Sequence, residues 1–151
     1  MGKKCSHLLQ IVCFIIFFAV WIIDSFILNL STFASFFPSA LRIPSSLCII
    51  AVGSILVGKA HRVLFKKKSR GLITTGIFAR VRHPMYLGII LIYLGYMLGT
   101  MSLLSILPWL LIVYLYAKMA DHEERVLEEQ FGKEYLEYKR KVPKWIPKFT
   151  T

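Results

Sequence analysis

Two short clusters carry charged side chains that stand out from the apolar sequence around them. The first is Arg80-Val81-Arg82-His83-Pro84-Met85-Tyr86, and the second is Asp121-His122-Glu123-Glu124-Arg125. Pro84 lacks an N–H and suits the first turn of a helix. It also pushes the residue before it toward extended or turn geometry. Arg82 and His83 are therefore predicted at a helix mouth, where free backbone N–H groups and the positive end of the dipole favour an anion. Glu123 and Glu124 offer a carboxylate pair for a cation. A fixed anion pole beside a fixed cation pole suits a zwitterion, such as an amino-acid head. The same residues could instead do no more than satisfy helix ends and pair with each other. On the residues alone both readings stay open.

The elements that would position them are apolar. The chain has 151 residues, 56% of them hydrophobic, and a formal net charge of +11. Its mean hydropathy is +0.62. The charges fall in blocks, which predicts one multi-pass membrane domain over residues 1–151. The expected fold is all-α, an integral membrane bundle of about four transmembrane helices with a cytoplasmic C-terminal amphipathic helix. The spans are placed at about 8–30, 45–64, 84–99 and 103–119, with the tail at 120–151. Residues 31–44 read as a loop with Pro38 and Arg42. Ser54 and Gly58 form a small-xxx-small pair in the second span, and Gly88, Gly95 and Gly99 form a packing stripe in the third. The turn Gly99-Thr100-Met101-Ser102 makes the third and fourth spans antiparallel neighbours, which carries Glu123 and Glu124 to Arg82 and His83. Pro108 is predicted to bend the fourth span. Asp121 with Glu124 is predicted to open a separate amphipathic helix as a capping box, which Gly132 would end. Tyr135, Tyr138 and Trp145 alternate with lysines and suit a segment lying on headgroups.

Lysine and arginine cluster at Lys3-Lys4, in the 59–82 segment and in the tail, so the positive-inside rule places both termini and the second loop in the cytoplasm. The apolar run after Lys3-Lys4 is too long for a cleaved signal peptide, and Asp24 interrupts it. Met1-Gly2-Lys3-Lys4-Cys5-Ser6 fits the loose myristoylation pattern by chance. Cys5, Cys13 and Cys48 have no metal-ligand spacing and read as small apolar fillers, and the four histidines show none either. The basic excess points to anionic lipid rather than nucleic acid, for which no motif is present. Asp24 is expected to bond a neighbouring helix.

The order Gly71 to Gly88, Glu123-Glu124, Leu127, Phe131-Gly132, Tyr135, Tyr138, Val142-Pro143 and Ile146-Pro147 resembles the isoprenylcysteine carboxyl methyltransferase and phospholipid methyltransferase superfamily. The resemblance covers the C-terminal half and is closest to the isoprenylcysteine branch. It implies S-adenosylmethionine as methyl donor and no metal. By this resemblance His83, Pro84 and the following turn hold the methionine carboxylate, and Glu123, with Glu124, faces the amino or ribose groups. Leu72, Ile73, Phe78, Met85 and Tyr86 would line the adenosine pocket. No G-x-G-x-x-G unit is present, which excludes a soluble dinucleotide-type methyltransferase.

One feature departs from the branch. Its members carry an arginine about one turn before the glutamate pair, and here that turn reads Tyr116-Ala117-Lys118-Met119-Ala120-Asp121-His122. Lys118 could replace it only as a point charge. The expected catalytic set is Arg82, Glu124 and Lys118, with Arg82 assigned to the headgroup interface or the acceptor. The resemblance implies a lipophilic acceptor of the prenylcysteine-carboxylate type, taken from the endoplasmic reticulum or a prokaryotic plasma membrane. A phospholipid amine or another small lipophilic amine or thiol is the alternative. A non-catalytic membrane protein or transporter is the alternative of another class.

Overall fold

The computed structural model describes residues 3–66 and 71–146. Met1, Gly2, the basic stretch 67–70, Pro147 and the end of the tail lie outside the described residues, as does the side chain of Cys5. Among the described residues the chain is all-helical and has no strands, only an isolated bridge between Thr32 and Ser102.

Helix α1 (Lys3–Ile22) continues into a π-helical segment, Ile23–Leu28, that ends at Asn29 in the left-handed region. Helix α2 spans Ser39–Lys66, α3 Pro84–Thr100, α4 Ile106–Phe131 and α5 Lys133–Lys141. Leu8–Leu28 and Ser39–Phe65 are long and apolar enough to cross a membrane. Only 17% and 11% of their hydrophobic windows are buried, so most of their apolar side chains face outward. Water would not tolerate so much exposed apolar helix surface, and lipid does. This is the exterior of a membrane protein. Helix α3 is apolar but shorter.

Several boundaries differ from the sequence reading. Helix α2 starts at Ser39 and runs through Pro44, so the expected 31–44 loop is shorter. Pro44 sits in the second turn and costs one ladder bond near the helix start. Pro108 is the third residue of α4, where an N–H has no helical partner anyway, so it need not bend the helix. The charged stretch after Met119 is no separate helix. Helix α4 runs unbroken to Phe131, and Asp121 is mid-helix rather than a cap. Gly132 does end it, at a φ of +52°.

The glycine stripe of α3 packs against α2. A Cβ on Gly88 would lie 2.6 Å from the Gly53 carbonyl oxygen, and one on Gly95 would strike Ile50 and Ser46. The α2 face of this seam is therefore Ser46, Ile50, Gly53 and Val57. Ser54 and Gly58 point outward instead, and Gly58 has nothing within 4 Å of its Cβ direction. On the other side of α3, Phe17 of α1 and Ile112 and Tyr116 of α4 close the core around Tyr86 and Tyr93.

Asp24 ties the end opposite the charged clusters. Fully buried, it accepts hydrogen bonds from the Ser31 backbone at 2.9 Å, the Ser31 hydroxyl at 2.7 Å and the Ser102 hydroxyl. It bridges the first loop to the α3–α4 turn, so its partners are loop serines rather than the neighbouring helix expected. That turn is made by Met101 at a φ of +53°, and Gly99 instead fits closely against Ser46.

Candidate active site

The antiparallel run of α3 and α4 brings the two charged clusters together. Pro84 is the first residue of α3 and His83 its N-cap, so the side chains before the proline face the last turns of α4. His83 is buried with its Nε2 3.0 Å from Glu124 Oε1 and its Nδ1 3.7 Å from Glu123 Oε2. Arg82 Nη2 lies 3.4 Å from the same Glu124 oxygen. Tyr86, one turn into α3, donates to Glu123 Oε1 at 2.5 Å and stacks parallel to the His83 ring. Lys139 of α5 approaches the other Glu124 oxygen at 3.5 Å.

The predicted poles are thus closed on one another, and the two anions nearest the α3 mouth are Glu123 and Glu124. Burial alone would push the Glu124 carboxyl up. The His83 hydrogen bond and the Arg82 and His83 charges outweigh it and hold the carboxyl below its ordinary value. Glu123 remains half-exposed.

The Arg82 side chain folds into the cluster. Its side chain is 9% exposed, and its Nε and Nη1 are buried with no hydrogen-bond partner among the described residues. Its backbone N–H donates to the Pro143 carbonyl at 3.0 Å, which pins the turn before α3 to the chain leaving α5. Lys118 makes no ion pair with this cluster among the described residues; it is exposed, its ammonium 5.6 Å from the centre of the Tyr114 ring, and it lines a pocket with Glu124 and Lys139.

The residues expected to line an adenosine pocket are divided. Met85, Tyr86 and Pro84 stand on the first turn of α3 beside the cluster. Leu72 is buried in a second small core with Tyr135, Tyr138 and Val142, and Ile73 follows it, partly buried. The Phe78 carbonyl accepts the Tyr138 hydroxyl at 2.7 Å. Tyr135 and Tyr138 turn inward and fold α5 back over the 72–82 segment. Burial raises the Tyr138 phenol to about 12.

Two contacts were missed from sequence. The Trp145 ring sits 5.8 Å from the His83 ring, and Lys144 pairs with Asp121 at 2.6 Å. Lys144-Trp145 lies between Pro143 and Pro147, and that proline pair was the one hint that the chain turns back there. No group of three or more His, Cys, Asp or Glu side chains among the described residues could hold a metal ion.

Residues 41–134, well over half of the chain and including both charged clusters, match the phospholipid methyltransferase family. The chain belongs to that family. Among curated proteins, it is 38% identical over 88 residues to protein-S-isoprenylcysteine O-methyltransferase of Xenopus laevis, covering 54% of this chain and 29% of the relative. It is 28% identical over 112 residues to protein-S-isoprenylcysteine O-methyltransferase B of Arabidopsis thaliana, covering 67% and 57%. The Schizosaccharomyces pombe protein of the same name is 36% identical over 90 residues, covering 58% and 38%. The chain therefore spans between 29% and 57% of the length of these relatives. As a phospholipid methyltransferase family member, it carries its charged clusters at one end of α3 and α4, beside helices that lipid can cover.

Proposed function

We propose that this chain is a membrane-embedded, S-adenosylmethionine-dependent methyltransferase of one domain, acting on a lipophilic carboxylate of the prenylcysteine type. Its α1, α2, α3 and the apolar half of α4 form the membrane bundle, with both termini and the charged rim on the cytoplasmic side. The positive-inside distribution supports this orientation. Family membership and the names of the relatives support methyl transfer.

The residues fit the donor. A methionine head carries an ammonium and a carboxylate. Half-exposed Glu123 and the Tyr86 hydroxyl offer acceptors for the first, and His83 at the α3 mouth offers a donor for the second. Met85 and Tyr86 on the first turn of α3, with Ile73 and Phe78 on the 72–82 segment, would contribute to the adenosine site. When bound, S-adenosylmethionine supplies an electrophilic methyl group on a sulfonium.

The observation that favours a carboxylate acceptor is Arg82. Its Nε and Nη1 are buried without partners among the described residues, although an unpaired buried donor is costly. Nε and Nη1 can each donate to an anion, which a carboxylate is and an amine is not. In place of the missing arginine before the glutamates, Arg82 would supply a guanidinium. A carboxylate acceptor is already ionised, so no general base is required. The work of the chain is to hold the nucleophilic oxygen in line and keep water out.

A radiolabelled-methyl assay on the full chain in mixed micelles tests the acceptor. Label should pass to farnesylcysteine analogues with a free carboxylate and not to phosphatidylethanolamine. Arg82→Leu should raise the acceptor KM at unchanged donor affinity. Transfer to the amine lipid alone would overturn the carboxylate reading.

A further inference from the structure

A groove of about 490 Å³ opens away from the cluster, between the last turns of α2 and the 3-10 turn Gly76–Ala79. Its lining is Lys59, Arg62, Val63, Gly76, Ile77 and Arg80, with no carboxylate. The three cations are exposed, and none is ion-paired to an acid among the described residues. The acids nearest the charged rim are committed elsewhere: Glu124 to His83 and Arg82, Asp121 to Lys144, and Glu128 to Lys139.

The groove is built by a close approach. Gly76 has a φ of +66°, and a Cβ on it would stand 3.3 Å from Val63 Cγ2. The left-handed glycine therefore lets the turn rest against α2 and sets Arg80 opposite Lys59 and Arg62. Lys59 and Arg62 stand on the last two turns of the apolar stretch of α2 that ends at Phe65, from which their long side chains can snorkel to lipid headgroups.

We propose that this groove binds the phosphoryl headgroup of an anionic glycerophospholipid. Two guanidinium forks and an ammonium converge on an unneutralised space, which suits a phosphate oxyanion. The floor of Val63 and Ile77 is apolar and suits the glycerol end of the lipid, which a free phosphate does not have. The lipid is a bound partner of the fold and not the methyl acceptor, because the groove is lined by neither His83 nor Glu124. The proposal rests on α2 lying in a bilayer and does not depend on methyl transfer.

The test uses the full chain in detergent micelles, titrated with phosphatidylglycerol or phosphatidylcholine. Bound lipid is read by native mass spectrometry and by the shift in melting temperature, since a ligand of the native state raises it. The groove variant is Lys59→Gln/Arg62→Gln/Arg80→Gln. The control is Lys133→Gln/Arg140→Gln/Lys141→Gln, which removes the same charge from exposed positions on α5. Each cation near an anionic lipid surface contributes roughly fivefold in binding. The groove variant should therefore retain at least about tenfold less phosphatidylglycerol, and the control should match the parent. Single variants at Arg62 and Arg80 give the same direction if the triple variant is unstable. Equal losses in both triple variants, or no loss in either, would overturn the site. Glycerol 3-phosphate or inorganic phosphate binding as tightly as phosphatidylglycerol would overturn the lipid as its occupant.

Discussion

Glu124→Leu removes the carboxylate that faces Arg82 at 3.4 Å and His83 at 3.0 Å, and leaves a guanidinium that is 9% exposed. At that separation an effective dielectric of 20 gives an attraction of about 5 kcal/mol, which desolvation of both ions offsets in part. Breaking a buried pair by removing one partner costs about 3–5 kcal/mol, because the other charge is stranded. Arg82 Nε and Nη1 already lack partners among the described residues, and Glu124 is the carboxylate that pairs with it there. Arg82→Leu strands the carboxylate less severely, since His83 and Lys139 still face it. The double variant removes both charges, and an apolar pair of similar volume is tolerated far better. A coupling of about 2–4 kcal/mol is expected between the two sites. Chemical unfolding of the parent, both single variants and the double variant in one detergent measures it. Single-variant losses that add to within about 0.5 kcal/mol would refute the pair as an energetic unit.

Other outcomes follow from the same geometry. Gly88→Ala should cost about 1–3 kcal/mol by overpacking the α2–α3 seam, while Gly58→Ala, which meets nothing, should be neutral or slightly stabilising; melting curves of the two separate them. Glu124 is held below its ordinary 4.5, so its contribution to stability is fully present above that pH and is lost as pH falls through the depressed folded value. Glu124→Gln should flatten this acid limb in a pH series of melts. Tyr86→Phe deletes the hydroxyl that orients Glu123 and should weaken donor binding by about fivefold to tenfold in a titration, with little change in melting temperature.

What the sequence made legible followed from short-range rules. Pro84 announced the mouth of α3, Gly132 the end of α4, and the α3 glycines a seam. The compact turn at 99–102 sufficed to bring Glu123 and Glu124 to His83. What stayed hidden depended on partners distant in sequence. Ser54 and Gly58 carry the small-residue spacing, yet the seam uses Gly53 and Val57, because the rotation of α2 is set by what α3 offers. Tyr135 and Tyr138 alternate with lysines as a surface segment would, yet they pack onto Leu72, some sixty residues earlier in the chain. Arg82 read as a helix-mouth cation for a headgroup or the acceptor, since nothing local signals that Pro143 holds its backbone and Glu124 its side chain.

The central claim is a methyl-donor site at the mouth of α3. Isothermal titration of the full chain, in detergent and shown folded by its circular dichroism melt, with S-adenosylmethionine tests it most directly. The account predicts saturable binding at one site per chain, weakened by at least about tenfold in His83→Ala and in Glu123→Ala, each removing charge-assisted hydrogen bonds. No saturable binding to folded protein, or unchanged affinity in both variants, would contradict it.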